Sequence, residues 1–562
     1  MVNVKFSRAR ISALLTIIAL ILWSCSIIQA RFAIGKYGLI SGFPSLYFFS
    51  LAVLTLASAI LWTSKENHWK LLLLQLSFLV ISLFLANLIS GGFESNYSWA
   101  VGEVGNPEFI IRTGHTNPNF WQLWQSNWPG TDIFQSISLI FTGNSIKNFT
   151  SFLPWIPILW ESMFFFPLFV LLKNTIGKVN PNYIWAGIWI FYIANWPGLH
   201  NNGPQPLGVL LAFSVLATFS SFDIWKENAS SLGQRISVTV IFAAVTVSHF
   251  LSSLVALAVV ISNFISRRLK SYKIPILAAL FVILWAILGA TVYTTGKIPT
   301  MVTEVFKMGE ALQRNVGKSI ASSASHTAVS MIRLALSGII VFISILGGVI
   351  SFRQKQNRYV DISLLCNAVF MGFVAAAVGS GYGSELINRF YIYLLPVLIY
   401  FSVKLLQYRQ GIILLAIVLI ICLPLTFIAQ YGNEEMDYLT TGYMNATDFF
   451  YIHTDGGWIN GYKPIGSSQK AEIYTVLGYD ELEVEGNQIL VPTREWLTDH
   501  NEFFTHYVVI SDHDKAYFDY FINQPELMDK LQMGLDNTVH SNLAFSNNAM
   551  SLYVSQDPLA TP

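Results

Sequence analysis

Acidic side chains gather in one polar segment, residues 91–151, that separates two apolar runs. A carboxylate held at a membrane surface can act as a general base or bind a divalent cation, because partial desolvation raises its basicity and oxygen ligands suit Mg²⁺ or Mn²⁺. The alternative is that an exposed loop simply carries solvated acids. We predict catalytic groups among the four acids and substrate-binding groups among the neighbouring cations: Glu94, Glu103, Glu108 and Asp132 for catalysis, and Arg112 and His115 for binding.

Three later stretches carry groups that suit an anion. The Pro-rich stretch from His200 to Gly208 leads into a helix, whose first backbone N–H groups and positive dipole end favour a phosphate. His249 interrupts a long apolar run, and Glu385 and Arg389 lie one helical turn apart where a late apolar run begins. Each stretch has a structural alternative. The first would be only a Pro-rich turn, His249 would be a packing residue, and Glu385 and Arg389 would form an ion pair within their helix. We predict contacts to a lipid-linked phosphate from His200, Gln205, His249, Glu385 and Arg389.

The elements that position these groups are membrane spans. Of 562 residues, 53% are hydrophobic and only 12% are charged, with mean hydropathy +0.51, which is too little charge to cover a soluble globule of this size. The net charge of +1 gives no reason to expect a nucleic-acid partner. Apolar runs long enough to cross a bilayer lie near residues 11–29, 44–63, 70–90, 152–172, 182–196, 206–221, 236–265, 274–295, 329–351, 360–379, 386–405 and 411–430.

The run at 236–265 is too long for one span and is interrupted by Ser248-His249, so we predict two helices that meet there. Counting it as a hairpin gives about 13 segments and places the basic loops on one side, in keeping with the positive-inside tendency. The fold class is therefore a polytopic α-helical membrane protein of the cell membrane. Its N-terminus is predicted to be cytoplasmic and its C-terminal part extracytoplasmic.

Charge divides the chain into two predicted domains, a transmembrane domain at 1–430 and a small soluble, acidic α/β domain at 431–562. After position 430 lie 20 of the 32 acidic residues but only 5 of the 33 Lys and Arg. Besides 91–151, a second large outer segment at 297–328 is predicted to act as a mobile flap, with an amphipathic helix over residues 301–312. In the soluble domain we predict strands at 488–491, 507–511 and 549–555 and a helix at 515–533.

Several short motifs resemble those of the GT-C superfamily of membrane glycosyltransferases, which includes oligosaccharyltransferase catalytic subunits and protein O-mannosyltransferases. The resemblance covers most of the chain, although each motif is short. In chain order, the motifs are the turn Trp128-Pro129-Gly130 before an apolar run that ends in Thr142-Gly143, the helix start Pro204-Gln205-Pro206-Leu207-Gly208, the hairpin Val247-Ser248-His249 and the Glu385-x-x-x-Arg389 start of a late span.

The resemblance implies a polyprenyl-phosphate-linked sugar donor and a loop carboxylate that serves as a base or metal ligand. Glu94 fits that position best, with Glu103, Glu108 and Asp132 as rivals, and His249 and Arg389 would contact the donor phosphate. A divalent cation, Mg²⁺ or Mn²⁺, is the expected cofactor, although the segment has no adjacent pair of acids. The Trp-Trp-Asp-Tyr-Gly signature of oligosaccharyltransferases is absent, which disfavours transfer to protein asparagine sequons.

The resulting hypothesis is a glycosyltransferase that moves a sugar from a polyprenyl-phosphate carrier to an extracytoplasmic glycan, lipid or protein. The lipid bilayer is its other partner. Two alternatives stay open: a transporter or flippase of a lipid-linked or small polar substrate, and a non-catalytic protein of the same fold. We find no convincing internal repeat, which transporters usually have.

Overall fold

The protein is mostly helical, with a small sheet near its C-terminus. Its computed structural model describes residues 7–92, 106–107, 109–116, 127–144, 149, 151–177, 179–198, 203–221, 232–295, 323–354, 358–378, 385–432, 435, 438, 440–443, 445–446, 449, 459–460, 489–490, 507–537 and 541–555.

The helical bundle follows the apolar runs of the sequence. Each predicted run corresponds to one or two described helical elements. The run at 70–90 is divided at Leu85, the run at 236–265 is divided at His249, and the run at 274–295 changes after Leu284 to a π-helical turn, Trp285–Gly289. The helices are α1 (Arg8–Ile27), α2 (Ser45–Trp62), α3 (Trp69–Phe84), α4 (Ala86–Ser90), α5 (Gly130–Thr142), α6 (Ile156–Thr175), α7 (Asn182–Ala194), α8 (Pro204–Ser220), α9 (Leu232–Ser248), α10 (Phe250–Ile265), α11 (Lys273–Leu284), α12 (Ala324–Gln354), α13 (Arg358–Val378), α14 (Glu385–Val403) and α15 (Arg409–Tyr431).

Among the described residues, six helical segments are long and apolar enough to cross a membrane: Arg8–Ile27, Ser45–Trp62, Leu153–Thr175, Ala324–Gln354, Arg389–Gln407 and Arg409–Tyr431. Six shorter apolar helices accompany them: Trp69–Phe84, Asn182–Ala194, Pro204–Ser220, Ile236–Ser248, Phe250–Ile265 and Lys273–Gly289. Proline lies inside α6, α14 and α15, which membrane helices tolerate because neighbouring groups satisfy the freed carbonyls. The count of about 13 spans stays a prediction.

A buried glutamine joins the first three helices. The Gln75 amide donates to Ser12 Oγ at 3.0 Å and to Thr16 Oγ1 at 2.7 Å, and Ser58 Oγ donates to Gln75 Oε1 at 2.7 Å. An unbonded amide is costly in apolar surroundings, so these bonds favour one packing of α1 and α2 on α3.

The C-terminal sheet has the strand order β2-β1-β3-β5-β4. β1 pairs in parallel with β2 and β3, β5 runs antiparallel to β3 and β4, and a register shift between Leu543 and Phe545 interrupts the last pair. The strands are β1 (Ile459–Asn460), β2 (Ile489–Leu490), β3 (Tyr507–Ser511), β4 (Ser541–Ser546) and β5 (Met550–Ser555). The strand predicted at 507–511 is confirmed, and those at 488–491 and 549–555 are each shorter by a residue or two.

The helix predicted at 515–533 is wrong as a single element. The structure has α16 (Asp512–Tyr517), a π-helical turn (Phe518–Ile522) and then α17 (Glu526–Asn537). Asn523 has φ of 57° and Pro525 follows it, and a left-handed residue close before proline ends a helix.

The sheet region contacts the bundle at the start of α12. The backbone N–H of Ser323 donates to the Tyr520 carbonyl at 2.9 Å, and the rings of Phe32 and Tyr438 lie 4.6 Å apart. The segment predicted as a flap, 297–328, is shorter than expected at its end, because α12 already begins at Ala324. The amphipathic helix predicted over residues 301–312 lies outside the described residues.

Candidate functional site

His249 separates two helices of the bundle, which confirms the predicted division of the run at 236–265. α9 ends at Ser248, α10 begins at Phe250, and His249 between them has an extended backbone with φ of −160° and ψ of 127°. The imidazole acts as the N-cap of α10, because its Nδ1 accepts a hydrogen bond from the backbone N–H of Ser252 at 3.3 Å. The side chain that interrupts the apolar run is thus the group that begins the next helix.

The imidazole of His249 is fully buried in a polar cluster. The Ser252 hydroxyl lies 2.9 Å from Nδ1, the Tyr393 hydroxyl lies 3.3 Å from it, and the two hydroxyls are 2.5 Å apart. Burial and the positive charge of Arg389 lower the pKa of His249 to about 3, so the ring is neutral at physiological pH. Because Nδ1 accepts, the proton of the neutral ring is on Nε2, which is therefore a donor. We call His249, Ser252, Arg389 and Tyr393 the His249 junction.

Glycines near the starts of two helices, α8 and α5, allow these helices to pack closely at or next to the His249 junction. Any other residue at these positions would clash with a neighbouring side chain unless the helix moved. A Cβ at Gly208 of α8 would lie 2.5 Å from Ser252 Oγ and 2.6 Å from His249 Cβ. A Cβ at Gly130 of α5 would lie 2.4 Å from Ser248 Oγ. The glycines that end the Pro-Gln-Pro-Leu-Gly and Trp-Pro-Gly motifs therefore permit close helix contact, which is a packing requirement rather than a conformational one.

Asp132 lies in the first turn of α5, two residues after Gly130, which packs against Ser248 next to the His249 junction. Its side chain is buried, and burial raises the pKa of the carboxyl group to about 8. A carboxylate near a helix N-terminus is stabilised by the dipole, but here desolvation is the dominant effect. A carboxyl group with a pKa close to neutral can both give and accept a proton at physiological pH.

The turn before α5 is held by aromatic packing. Trp285 Nε1 donates to the Asn127 carbonyl at 3.1 Å, and the backbone N–H of Tyr293 donates to Asn127 Oδ1 at 3.4 Å. The Trp128 ring is 1% exposed and lies 5.2 Å from the ring of Phe250. This packing fixes the start of α5, and hence Asp132, relative to α10.

The second Trp-Pro-Gly motif has a different neighbourhood. Trp196 Nε1 donates to Ser337 Oγ at 3.1 Å, its ring stacks on Tyr391 at 5.9 Å, and the Arg333 guanidinium lies 5.5 Å above it. Arg333 Nε also donates to the Ala429 carbonyl at 2.8 Å. This cluster ties α7, α12, α14 and α15 together.

The predicted site residues are distributed as follows. Asp132, Gln205, His249 and Arg389 lie on the elements that meet at the His249 junction: α5, α8, the α9–α10 break and α14. Arg112 and His115 are exposed, and the His115 ring bonds to the Thr116 carbonyl at 2.9 Å. Glu385 is in α14, but its side chain is not described. Four predicted residues lie outside the described ranges: Glu94, Glu103, Glu108 and His200.

Sequence reasoning missed two members of the cluster. Ser252 lies three residues after His249, the spacing of an N-cap bond, and Tyr393 lies four residues after Arg389, on the same helix face. Both signals are present in the sequence, but serine and tyrosine are so common in apolar helices that spacing alone does not single them out.

The comparisons with known proteins give matches in structure. No protein-family model and no curated protein sequence matches the chain. The archaeal oligosaccharyltransferase AglB from Archaeoglobus fulgidus, in complex with an inhibitory peptide and a dolichol-phosphate, matches with a TM-score of 0.50 and 11% identity, over 82% of this chain and 72% of that chain. ArnT from Cupriavidus metallidurans, bound to undecaprenyl phosphate, matches with a TM-score of 0.47 and 11% identity, over 87% of this chain and 99% of that chain.

At this identity, the match to the archaeal oligosaccharyltransferase concerns the fold. The chain is a mostly helical protein with several helices that could cross a membrane, and it shares the fold of the archaeal oligosaccharyltransferase.

Proposed function

We propose that the protein is a glycosyltransferase that takes a sugar from a polyprenyl-phosphate carrier and transfers it to an extracytoplasmic glycan, lipid or protein. The observation that carries the proposal is the His249 junction, in which a buried neutral imidazole lies within the electrostatic influence of the Arg389 guanidinium. Asp132, a carboxyl group of near-neutral pKa, is in the first turn of α5, whose Gly130 packs against Ser248 next to His249. The structure of archaeal oligosaccharyltransferase, whose fold this chain shares, contains a dolichol-phosphate.

Arg389 and His249 are the proposed phosphate ligands. A guanidinium can bind two phosphate oxygens, and the Nε2–H of a neutral imidazole can donate to a third without adding charge to the buried site. Tyr393 and Ser252 are positioning residues, because their hydroxyls bond to Nδ1 and to each other and so fix the orientation of the ring. These groups would stabilise the phosphate as it leaves the sugar.

Asp132 is the proposed base among the described acids. With a pKa of about 8, roughly a tenth of its side chains are ionised at pH 7, and the ionised form can accept the proton of an acceptor hydroxyl. Glu94, Glu103 and Glu108 remain candidates for the same role. A base must lie within hydrogen-bond reach of the acceptor, which a bound acceptor would establish.

The predicted divalent cation is not supported by the described residues. Within the ranges that the structure describes, no group of three His, Cys, Asp or Glu side chains could hold a metal ion, and Asp132 alone does not make a site. Glu94, Glu103 and Glu108, which lie outside the described residues, remain candidate ligands for Mg²⁺ or Mn²⁺. The mechanism proposed here uses only protein groups.

The membrane topology is part of the proposal. We infer that the N-terminus is cytoplasmic, that the His249 junction faces the outer leaflet of the cell membrane and that residues 431–562 form an acidic extracytoplasmic domain. The direct contact between Ser323 at the start of α12 and Tyr520 in the sheet region supports putting this domain on the side of the junction.

The experiment measures binding and transfer with purified protein in nanodiscs. Undecaprenyl phosphate is the binding probe, and Arg389→Gln is expected to weaken its binding roughly 10- to 100-fold, as for loss of a charged hydrogen bond of about 1.5–3 kcal/mol. Arg31→Gln, which removes an exposed cation between α1 and α2, is the matched control and should bind as the wild type does. Tyr393→Phe should weaken binding less than Arg389→Gln.

Equal binding by the Arg389 and Arg31 variants would contradict the phosphate site. Transfer is then followed with membranes of the source cell as acceptor and radiolabelled polyprenyl-phosphate sugars as donors. Binding of undecaprenyl phosphate without transfer of any donor sugar would refute the glycosyltransferase and favour a non-catalytic or transport function.

A further inference from the structure

A groove lies between α12 and α13, away from the His249 junction. It has a volume of about 610 Å³, and its floor is formed by Val397, Leu398 and Phe401 of α14. The lining is almost entirely apolar, and among the described residues that line the groove only Arg353, in the last turn of α12, is charged. Because α12 and α13 both pack on α14 but touch each other little, the space between them stays open.

Glycines on α12 shape the groove. A Cβ at Gly347 would lie 1.9 Å from the Phe401 carbonyl, so α12 approaches α14 as closely as backbones allow. At Gly348 the nearest atom to an added Cβ belongs to the Phe401 ring, at 3.7 Å, so a side chain would fit there and would project into the groove. The space is thus a consequence of a missing side chain rather than of poor packing.

A buried carboxylate, Asp361, joins the three helices that line the groove. Ser351 Oγ donates to both oxygens of Asp361 at 2.9 Å, the Tyr400 hydroxyl donates to Oδ1 at 2.6 Å, and the Lys404 ammonium lies 4.7 Å above the Tyr400 ring. These contacts join α12, α13 and α14 next to Arg353. In the part of the chain that the structure describes, no carboxylate forms an ion pair with Arg353.

The chemistry of the groove selects its occupant. Water is a poor filling, since a buried water needs two to four polar partners and this lining offers few. The rim is also apolar and exposed, with Ile345 58% and Leu365 46% exposed, as expected of surfaces that face lipid tails. A hydrocarbon chain fits such a space, and Arg353 in its lining, which forms no ion pair with a described carboxylate, fits a phosphate.

We propose that this groove binds an anionic phospholipid, with one acyl chain between α12 and α13 and its phosphate on Arg353. The site is separate from the proposed donor site, because Phe401 lies 12 residues after Arg389 on α14, about 18 Å along the helix. The lipid is therefore bound in the leaflet opposite the one proposed for the sugar donor. Charge complementarity selects an anionic headgroup over a zwitterionic one of equal chain length.

The test uses the full-length protein, delipidated in detergent and then mixed with dioleoyl phosphatidylglycerol or dioleoyl phosphatidylcholine. Native mass spectrometry counts bound lipids, and a melting curve reports stabilisation. The wild type is expected to retain phosphatidylglycerol at least tenfold better than phosphatidylcholine. Arg353→Gln should remove this preference, and Gly348→Leu should reduce retention of both lipids because its side chain fills the groove.

Two control variants match these changes. Arg409→Gln removes an exposed cation at the start of α15, and Gly338→Leu places a side chain in open space on the same helix, since nothing lies within 4 Å of an added Cβ there. Both should behave as the wild type does.

The proposal is overturned if Arg353→Gln keeps the preference for phosphatidylglycerol, or if Gly348→Leu and Gly338→Leu retain lipid equally. It is also overturned if undecaprenyl phosphate displaces phosphatidylglycerol from the wild type but not from Arg353→Gln, since the groove would then bind the donor. Should Gly348→Leu fail to fold, Arg353→Gln decides the question alone, because its side chain is exposed and its removal leaves the core intact.

Discussion

The substitution Asp132→Asn separates the stability of the fold from its proposed chemistry. Asp132 is 4% exposed, and burial raises its pKa from 3.8 to about 8. Asparagine has nearly the same shape but cannot ionise. The variant is therefore expected to fold and to lose the proposed proton transfer.

The size of the pH-dependent loss of stability follows from the raised pKa of Asp132. The folded protein keeps a proton on Asp132 that the unfolded chain releases above pH 3.8, so the stability from this group is complete below that pH and is lost as pH rises through about 8. At about 1.36 kcal/mol per pKa unit, the loss has an upper limit of roughly 6 kcal/mol. Relaxation and water entry around an ionised group reduce this, and we expect about 1–3 kcal/mol.

The assay is the melting temperature of the detergent-solubilised protein between pH 5 and pH 9. Wild type should lose stability over this range, whereas Asp132→Asn should have a flatter profile and melt higher at pH 8 to 9. The matched control is Asp361→Asn, which also alters a buried carboxylate. Asp361 accepts hydrogen bonds from Ser351 and Tyr400, which an amide would satisfy less well. Asp361→Asn should therefore lower the free energy of unfolding by about 1–3 kcal/mol, and the variant should melt at a lower temperature at every pH.

A melting profile for Asp132→Asn that parallels the wild type across the whole range would contradict the raised pKa of Asp132. Asp132 would then have an ordinary pKa and be accessible to water. Transfer activity gives an independent readout: wild-type activity should rise with pH through about 8, and a flat profile in the wild type would assign the base to another residue.

Three further variants test the packing by melting temperature. Gly130→Ala places a methyl group 2.4 Å from Ser248 Oγ and should cost about 1–3 kcal/mol, whereas Gly338→Ala should not; equal melting would show that α5 can shift freely. Gln75→Leu leaves the Ser58 hydroxyl without its acceptor and should cost about 1–3 kcal/mol, in contrast to exposed Gln410→Leu. Asn182→Leu removes bonds to the Ser64 and Glu66 carbonyls, of 3.0 and 2.7 Å, and should destabilise similarly; an unchanged melting temperature would mean that water replaces the amide.

Hydropathy and loop charge predicted most helices of the bundle and the break at His249, but not α5, which lies within the segment predicted as an outer loop. This is because a membrane span is determined by local composition, and an ionisable group inside an apolar run is costly unless it lies at the end of a helix. In the C-terminal region the 515–533 helix was wrong, since amphipathic spacing continued past Asn523 while the backbone did not. Local propensity could not reveal that Tyr520 would contact Ser323, far away in the sequence.

The candidate site could be predicted only in part, for a physical reason. Arg389 and His249 are unusual in an apolar context and therefore attract attention, but Ser252, Tyr393 and Gly208 are ordinary in a membrane helix. Their importance arises from contacts between α8, α10 and α14, and α14 lies more than a hundred residues further along the chain than the other two.

The properties of Asp132 also depend on contacts that the sequence does not reveal. In the sequence it is one acid among four in a polar segment, and its position near the start of a helix suggests a solvated side chain that stabilises the helix dipole. Burial reverses this expectation, because α5 is held at its start by Trp128 against α10 and by Gly130 against Ser248. Removing either contact should let α5 move away, admit water and return the carboxyl group to its ordinary pKa. The unusual acidity of Asp132 is therefore a property of the packing of Trp128 and Gly130, and a change in the pH profile of a Gly130 variant would demonstrate that dependence.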